Sequence, residues 1–159
     1  MRHFIAILLF CPMLSWAGNS LRVTDAWLRA LPPGQPNSAA YMVLNNAGEQ
    51  ALTIVAVSSQ LAQRVEIHES RQQDGMWRMQ AQASLSLAAG QTTVLAPGGR
   101  HLMLFGLKRS PREGEQVQFE LTLQGGEQVL VTAQVRGFAT GGEHDHPHTI
   151  NLQDSGSDL

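Results

Sequence analysis

From Gln116 to Leu123 the chain alternates strictly, with Val117, Phe119, Leu121 and Leu123 separated by Gln118, Glu120 and Thr122. A side-chain period of two is that of a strand with one face on a core and one in water. Gly125-Gly126 follows, and Gln128 to Val135 resumes the strand texture, so the two segments are expected to form a hairpin. The same texture marks Leu21 to Arg29, Ser38 to Leu44, Leu52 to Ser58, Arg64 to Glu69, Met76 to Ala81, Gln91 to Leu95 and His101 to Leu107. Nine short strands without a helical period predict an all-β single domain, a sandwich or barrel.

The punctuation agrees. Pro32-Pro33-Gly34, Asn45-Asn46-Ala47-Gly48, Asp74-Gly75 and Pro97-Gly98-Gly99 all supply residues that tolerate turn dihedrals. The 159 residues suffice for one domain with a proper core. Eleven Lys and Arg against thirteen Asp and Glu, scattered without a basic stripe, argue against nucleic acid as a partner.

The two ends differ from the middle. Arg2 and His3 precede an apolar run, Phe4 to Leu14, too short to span a bilayer, and Ser15-Trp16-Ala17 offers small residues three and one positions before a cut. Residues 1–17 therefore read as a cleaved export signal, residues 18–138 as the domain, and residues 139–159 as a flexible polar tail. Nothing after Ala17 is apolar for long enough to cross a membrane, so the mature form is expected not to span one. The single cysteine, Cys11, follows the bulky Phe10 where a lipid-attachment site wants a small residue, and it is lost if cleavage falls after Ala17. The mature chain then has neither a disulfide nor a thiolate ligand.

Histidine carries the chemistry. His101 and Met103 lie two apart on one predicted strand and so leave the same face, with Leu102 and Leu104 pointing into the core. His68 and Met79 flank a hairpin whose turn is expected to be the polar run Ser70-Arg71-Gln72-Gln73-Asp74-Gly75, which would place them roughly opposite one another. Two imidazoles and two thioethers make a soft donor set with no ionised ligand, which suits Cu(I) better than Zn(II) or Mg(II). Neutral ligands hold such an ion less tightly than thiolates, which favours transfer over storage.

The spacing His68, ten residues, Met79, twenty-one residues, His101, one residue, Met103 is identical to the signature of the periplasmic copper chaperones of the PCu(A)C type. Asp25-Ala26-Trp27-Leu28-Arg29, Pro32-Pro33-Gly34, Ala39-Ala40-Tyr41 and Pro97-Gly98-Gly99-Arg100-His101-Leu102-Met103-Leu104 also resemble that family. The resemblance implies a cupredoxin-like Greek-key β-sandwich and delivery of copper to a receiving protein such as the cytochrome oxidase assembly machinery. Where members often carry a methionine just after the first histidine, this chain has Glu69, Ser70 and Arg71.

A lone strand histidine is more often a surface or satisfied core residue than a ligand, and methionine packs core gaps by default. The joint spacing overrides that default for the four residues. Met42 is expected in the core, and Met76 on the face opposite Met79. Trp77, on Met79's face, either covers the ion or simply packs. His144, His146 and His148, interleaved with Glu143, Asp145 and Pro147, form a candidate second metal site for Cu(II). The alternatives are an electron-transfer cupredoxin, which needs a cysteine thiolate, and a non-catalytic binding module with incidental metal. No Ser-His-Asp arrangement, P-loop or dinucleotide fingerprint supports an enzyme.

Overall fold

The computed structural model describes residues 20–137, all β within those bounds. Ten strands follow one another: β1 (Leu21–Arg29), β2 (Asn37–Asn46), β3 (Leu52–Ser58), β4 (Ala62–Gln73), β5 (Met76–Gln82), β6 (Leu85–Leu87), β7 (Thr92–Leu95), β8 (Arg100–Leu107), β9 (Gln116–Leu123) and β10 (Gln128–Arg136). They hydrogen-bond in the order β5-β4-β8-β2-β1-β10-β9-β3-β6, with β7 on β2. Only β1 and β10 run parallel. Val57 of β3 pairs with Val65 of β4, so the path curls back on itself around one core. This is the single all-β domain that the strand pattern predicts, in the sandwich form that the family resemblance implies.

Every strand of that path except edge β5 contributes its inward residues to the core. Leu28, Ala40, Met42, Leu44, Ile54, Leu102, Leu104, Phe119, Leu121, Ala133 and Val135 are all essentially inaccessible to water. The β9–β10 hairpin forms as expected, from Gln128 opposite Thr122 to Gln134 opposite Gln116. Each buried Leu or Phe contributes about 1.5–3 kcal/mol by leaving water, which is what fixes the register.

Strand β1 is irregular. Between Thr24 and Trp27 it carries an extra residue relative to β2, and Asp25 adopts a left-handed φ of 47°. Leu21 and Leu28 both point inward although they differ in parity, because the bulge resets the alternation. It turns Trp27 to the outer face, opposite Tyr41, and the Asp25 carboxylate pairs with Arg136 at 2.8 Å.

Three details depart from the sequence reading. The 70–75 run is not a loop: β4 continues to Gln73, and the reversal is confined to Asp74-Gly75, with φ of 54° and 76°. Residues 70–73 are polar because β5 is an edge strand and both faces of the β4–β5 hairpin are wet. Leu85–Leu87 forms a three-residue strand too short to read from pattern. Asn45 and Asn46 end β2 rather than starting the turn.

Asn46 is fully buried. Its amide nitrogen donates to the carbonyls of Gln50, Leu87 and Ala88 at 2.7, 3.2 and 3.0 Å, and its Oδ1 accepts from Gly48 N–H at 3.0 Å. The side chain thus satisfies backbone groups where β2, β3 and β6 converge. Asn46→Ala, which leaves those groups unpaired, is expected to cost about 3 kcal/mol, read as a lowered urea midpoint with an unchanged slope.

Candidate functional site

Strands β4 and β8 pair so that His68 lies directly opposite His101, Glu66 opposite Met103 and Arg64 opposite Phe105. Directly opposed residues share a sheet face, and this face is the one turned away from Leu102 and Leu104. The two imidazole centroids are 5.9 Å apart with the rings inclined at 45°. His101 is 5% exposed, and the His68 side chain is nearly as well covered.

Each ring has one nitrogen tied and one bare. His101 Nδ1 lies 3.0 Å from the Gly99 carbonyl, which can only accept, so Nδ1 carries the proton and Nε2 keeps its lone pair. The same carbonyl accepts the Ser70 N–H at 3.1 Å, so one peptide fixes both the imidazole and the point where β4 leaves its pairing with β8. His68 Nε2 lies 2.8 Å from Glu66 Oε2, which likewise accepts. His68 Nδ1 is then left with its lone pair, buried and without a hydrogen-bond partner among the described residues. A buried nitrogen left unpaired costs about 1–3 kcal/mol unless something binds it.

Glu66 acts behind His68. Its hydrogen bond to His68 holds the Glu66 carboxyl below the ordinary carboxylate range, with a smaller contribution from the Arg64 guanidinium, whose Nε sits at 2.7 Å. A carboxylate on the far nitrogen of a ligating imidazole sets its tautomer and raises its basicity.

Met103 follows His101 on the same face and is half-buried. Met79 pairs with Ser70, while His68 pairs with Ala81, so Met79 stands diagonally from His68, one step nearer the hairpin tip. It is 56% exposed. Met79, His101 and Met103 line one open groove together with Arg29, Tyr41 and Ser70. All four sequence-predicted residues thus emerge on one sheet face, three of them on the packed β4–β8 pair and Met79 at the rim.

The remaining expectations resolve by parity. Met42 is in the core. Trp77 shares Met79's face and Met76 takes the other, at 66% and 57% exposure, so Trp77 stands largely in solvent. Of the three residues after His68 only Ser70 faces the groove; Glu69 turns away and pairs with Arg71 and Arg100. No thioether comes from that segment. His144, His146 and His148 lie outside the described residues.

Sequence reasoning missed the surroundings of the pair. Phe105 stands 5.8 Å from His68 and carries the Arg64 guanidinium 4.7 Å above its ring. Tyr41 stands 6.4 Å from His101, backed by Trp27 at 4.4 Å. Burial raises the Tyr41 phenol above its ordinary value, opposed by Arg29. The signal available was the period of two itself, which carries from His68 back to Glu66 and from Met103 on to Phe105.

Among the described residues no three His, Cys, Asp or Glu side chains gather as a metal site. An ion at the histidine pair would have two nitrogens and would need the neighbouring sulfurs to complete its shell.

The sequence profile of the LpqE-like lipoproteins matches residues 21–135, which is nearly the whole described domain. The chain belongs to the LpqE-like family. Lxx21020 of Leifsonia xyli subsp. xyli, named as a lipoprotein, is 31% identical over 127 residues, covering 79% of this chain and 75% of its own length. RP573 of Rickettsia prowazekii is 29% identical over 100 residues, covering 62% and 55%. Among solved structures, the copper-bound PCuAC domain of PmoF2 superposes with a TM-score of 0.64 at 20% identity, over 77% of this chain and 97% of that domain. Apo-DR1885 of Deinococcus radiodurans superposes at 0.61 with 29% identity, over 89% and 97%. This LpqE-like chain therefore has the PCuAC fold that its spacing resembles.

The Glu66 arrangement makes a pH prediction for the LpqE-like domain. A carboxyl whose folded pKa is lowered contributes stability that is full above its unfolded pKa and is lost as pH falls through the folded value. Thermal unfolding of Glu66→Gln should therefore lose less stability than the parent between about pH 5 and pH 3. Equal acid-side losses would show that the Glu66–His68 bond does not form in solution.

Proposed function

We propose that this protein is an exported copper carrier that holds one Cu(I) ion through His68, Met79, His101 and Met103 and passes it to a copper-receiving protein. The observation that carries this reading is the opposed histidine pair, in which backbone and carboxylate partners occupy one nitrogen of each ring and leave His101 Nε2 and the buried His68 Nδ1 bare. Solved relatives add weight: DR1885 has a solution structure in its CuI form, at 27% identity and a TM-score of 0.52.

The cargo is the ion, and the chain's own residues divide the work. His68 and His101 supply nitrogens held in place before the ion arrives, so little ordering entropy is lost on binding. Met103 supplies a half-buried sulfur beside them. Met79 supplies one from the exposed edge strand, where it can let go first and admit a ligand from the receiving protein. No donor needs to lose a proton, apart from protons competing for the imidazoles, so affinity falls on acidification. By resemblance, the recipient is the copper centre of a cytochrome oxidase or its assembly machinery. His144, His146 and His148 would supply an additional site for Cu(II).

Anaerobic competition titration with a Cu(I) chelator tests the site. One equivalent should bind; His101→Ala or Met103→Ala should weaken it by at least the roughly 10–100-fold that loss of a ligand's supporting partner costs. Met79→Ala should weaken it less and speed transfer to the chelator. Unchanged affinity in Met103→Ala would refute the four-ligand site.

Export is part of the reading. Cleavage after Ala17 leaves Gly18 as the first residue, whereas the lipoprotein name of the family raises Cys11 as a lipidated first residue. Intact mass of the protein purified from a bacterial envelope decides: an unmodified chain starting at Gly18 is expected, and a diacylglycerol-modified Cys11 would contradict it.

A further inference from the structure

The β4–β5 hairpin carries a second feature on the face opposite Met79. Arg71 and Arg78 lie directly across from each other in the ladder, and Glu69 lies opposite both Gln80 and Arg100. Like charges facing each other across an antiparallel pair destabilise it. Glu69 binds Arg71 at 2.8 Å and Arg100 at 3.4 Å, but among the described residues Arg78 has no carboxylate partner. Three guanidinium groups on β4, β5 and β8 thus lie near a single carboxylate, and Arg78 stands on edge strand β5, whose outer side no described strand pairs.

The balancing charge is in the sequence. Residues 139–159 contain Glu143, Asp145, Asp154 and Asp158 and no Lys or Arg. The tail therefore carries four negative charges while the chain as a whole has a net of −2, leaving everything before the tail net positive. It departs from the end of β10, beyond Arg136. Going round by β9, β3 and β4, the hairpin is four strand spacings away, or roughly 20 Å across the sheet, and the tail's length allows it roughly 70 Å if extended.

We infer that the acidic C-terminal tail docks intramolecularly on the Arg71–Arg78–Arg100 face of the β4–β5 hairpin. Tethering gives the tail an effective concentration in the millimolar range, enough for weak charge pairs to hold it part of the time. The contact is salt-sensitive, since exposed pairs are screened over about 10 Å at 0.1 M salt. Docking is independent of copper, because it uses none of the four proposed ligands and requires no metal.

Paramagnetic relaxation on the metal-free chain from Gly18, spin-labelled through Ser155→Cys, tests it. At low salt the amides of residues 69–80 should be broadened more than those of the β9–β10 turn. The broadening should be lost at high salt and in the Arg71→Glu, Arg78→Glu double variant, and retained when both are replaced by Lys. Absence of selective broadening would overturn the inference. So would broadening that survives charge reversal, or that falls away on dilution, which would mark a contact with another copy.

Discussion

The direct opposition of His68 and His101 across β4 and β8 is the constraint on which the rest of the site depends. It places two rings on one face at 5.9 Å between centroids. It also lets two unrelated acceptors, the Gly99 carbonyl and the Glu66 carboxylate, each take one ring N–H. A one-residue slip of β8 against β4 would turn His101 into the core and Leu102 outward, parting the two rings. The buried Leu102, Leu104 and Ile67 thus hold the histidine geometry as a by-product of burying themselves.

Around that pair the domain is graded from rigid to accessible. The histidines sit in the packed β4–β8 ladder, Met103 is half-covered, and Met79 and Trp77 stand on an edge strand exposed almost throughout. The proposed carrier role needs such a gradient, with a fixed cradle at one side and a donor able to exchange at the other. The β1 bulge belongs to the same design, since only the parity change at Asp25 brings Trp27 outward to back Tyr41 beside His101.

Much of this was legible in the chain. Alternation in β9 and β10 is strict because one face is core and the other water, and the same rule assigned Leu102 and Leu104 inward and His101 and Met103 outward. Where both faces are wet, as in the β4–β5 hairpin, strand and loop have the same polar composition, and Ser70 to Gln73 read as a turn. Asn46 read as turn chemistry for a related reason: an asparagine that bonds the backbone from within the core has the same composition as one that does so at a surface bend. Glu66 escaped because a carboxylate two residues from a histidine is commonplace until the register shows what lies opposite.

X-ray absorption of the protein loaded anaerobically with one equivalent of Cu(I) tests the central claim most directly, because it counts nitrogen and sulfur neighbours separately. Two nitrogens and two sulfurs are expected, with one sulfur lost in Met103→Ala. A copper shell of nitrogen and oxygen alone, unchanged in that variant, would contradict the account.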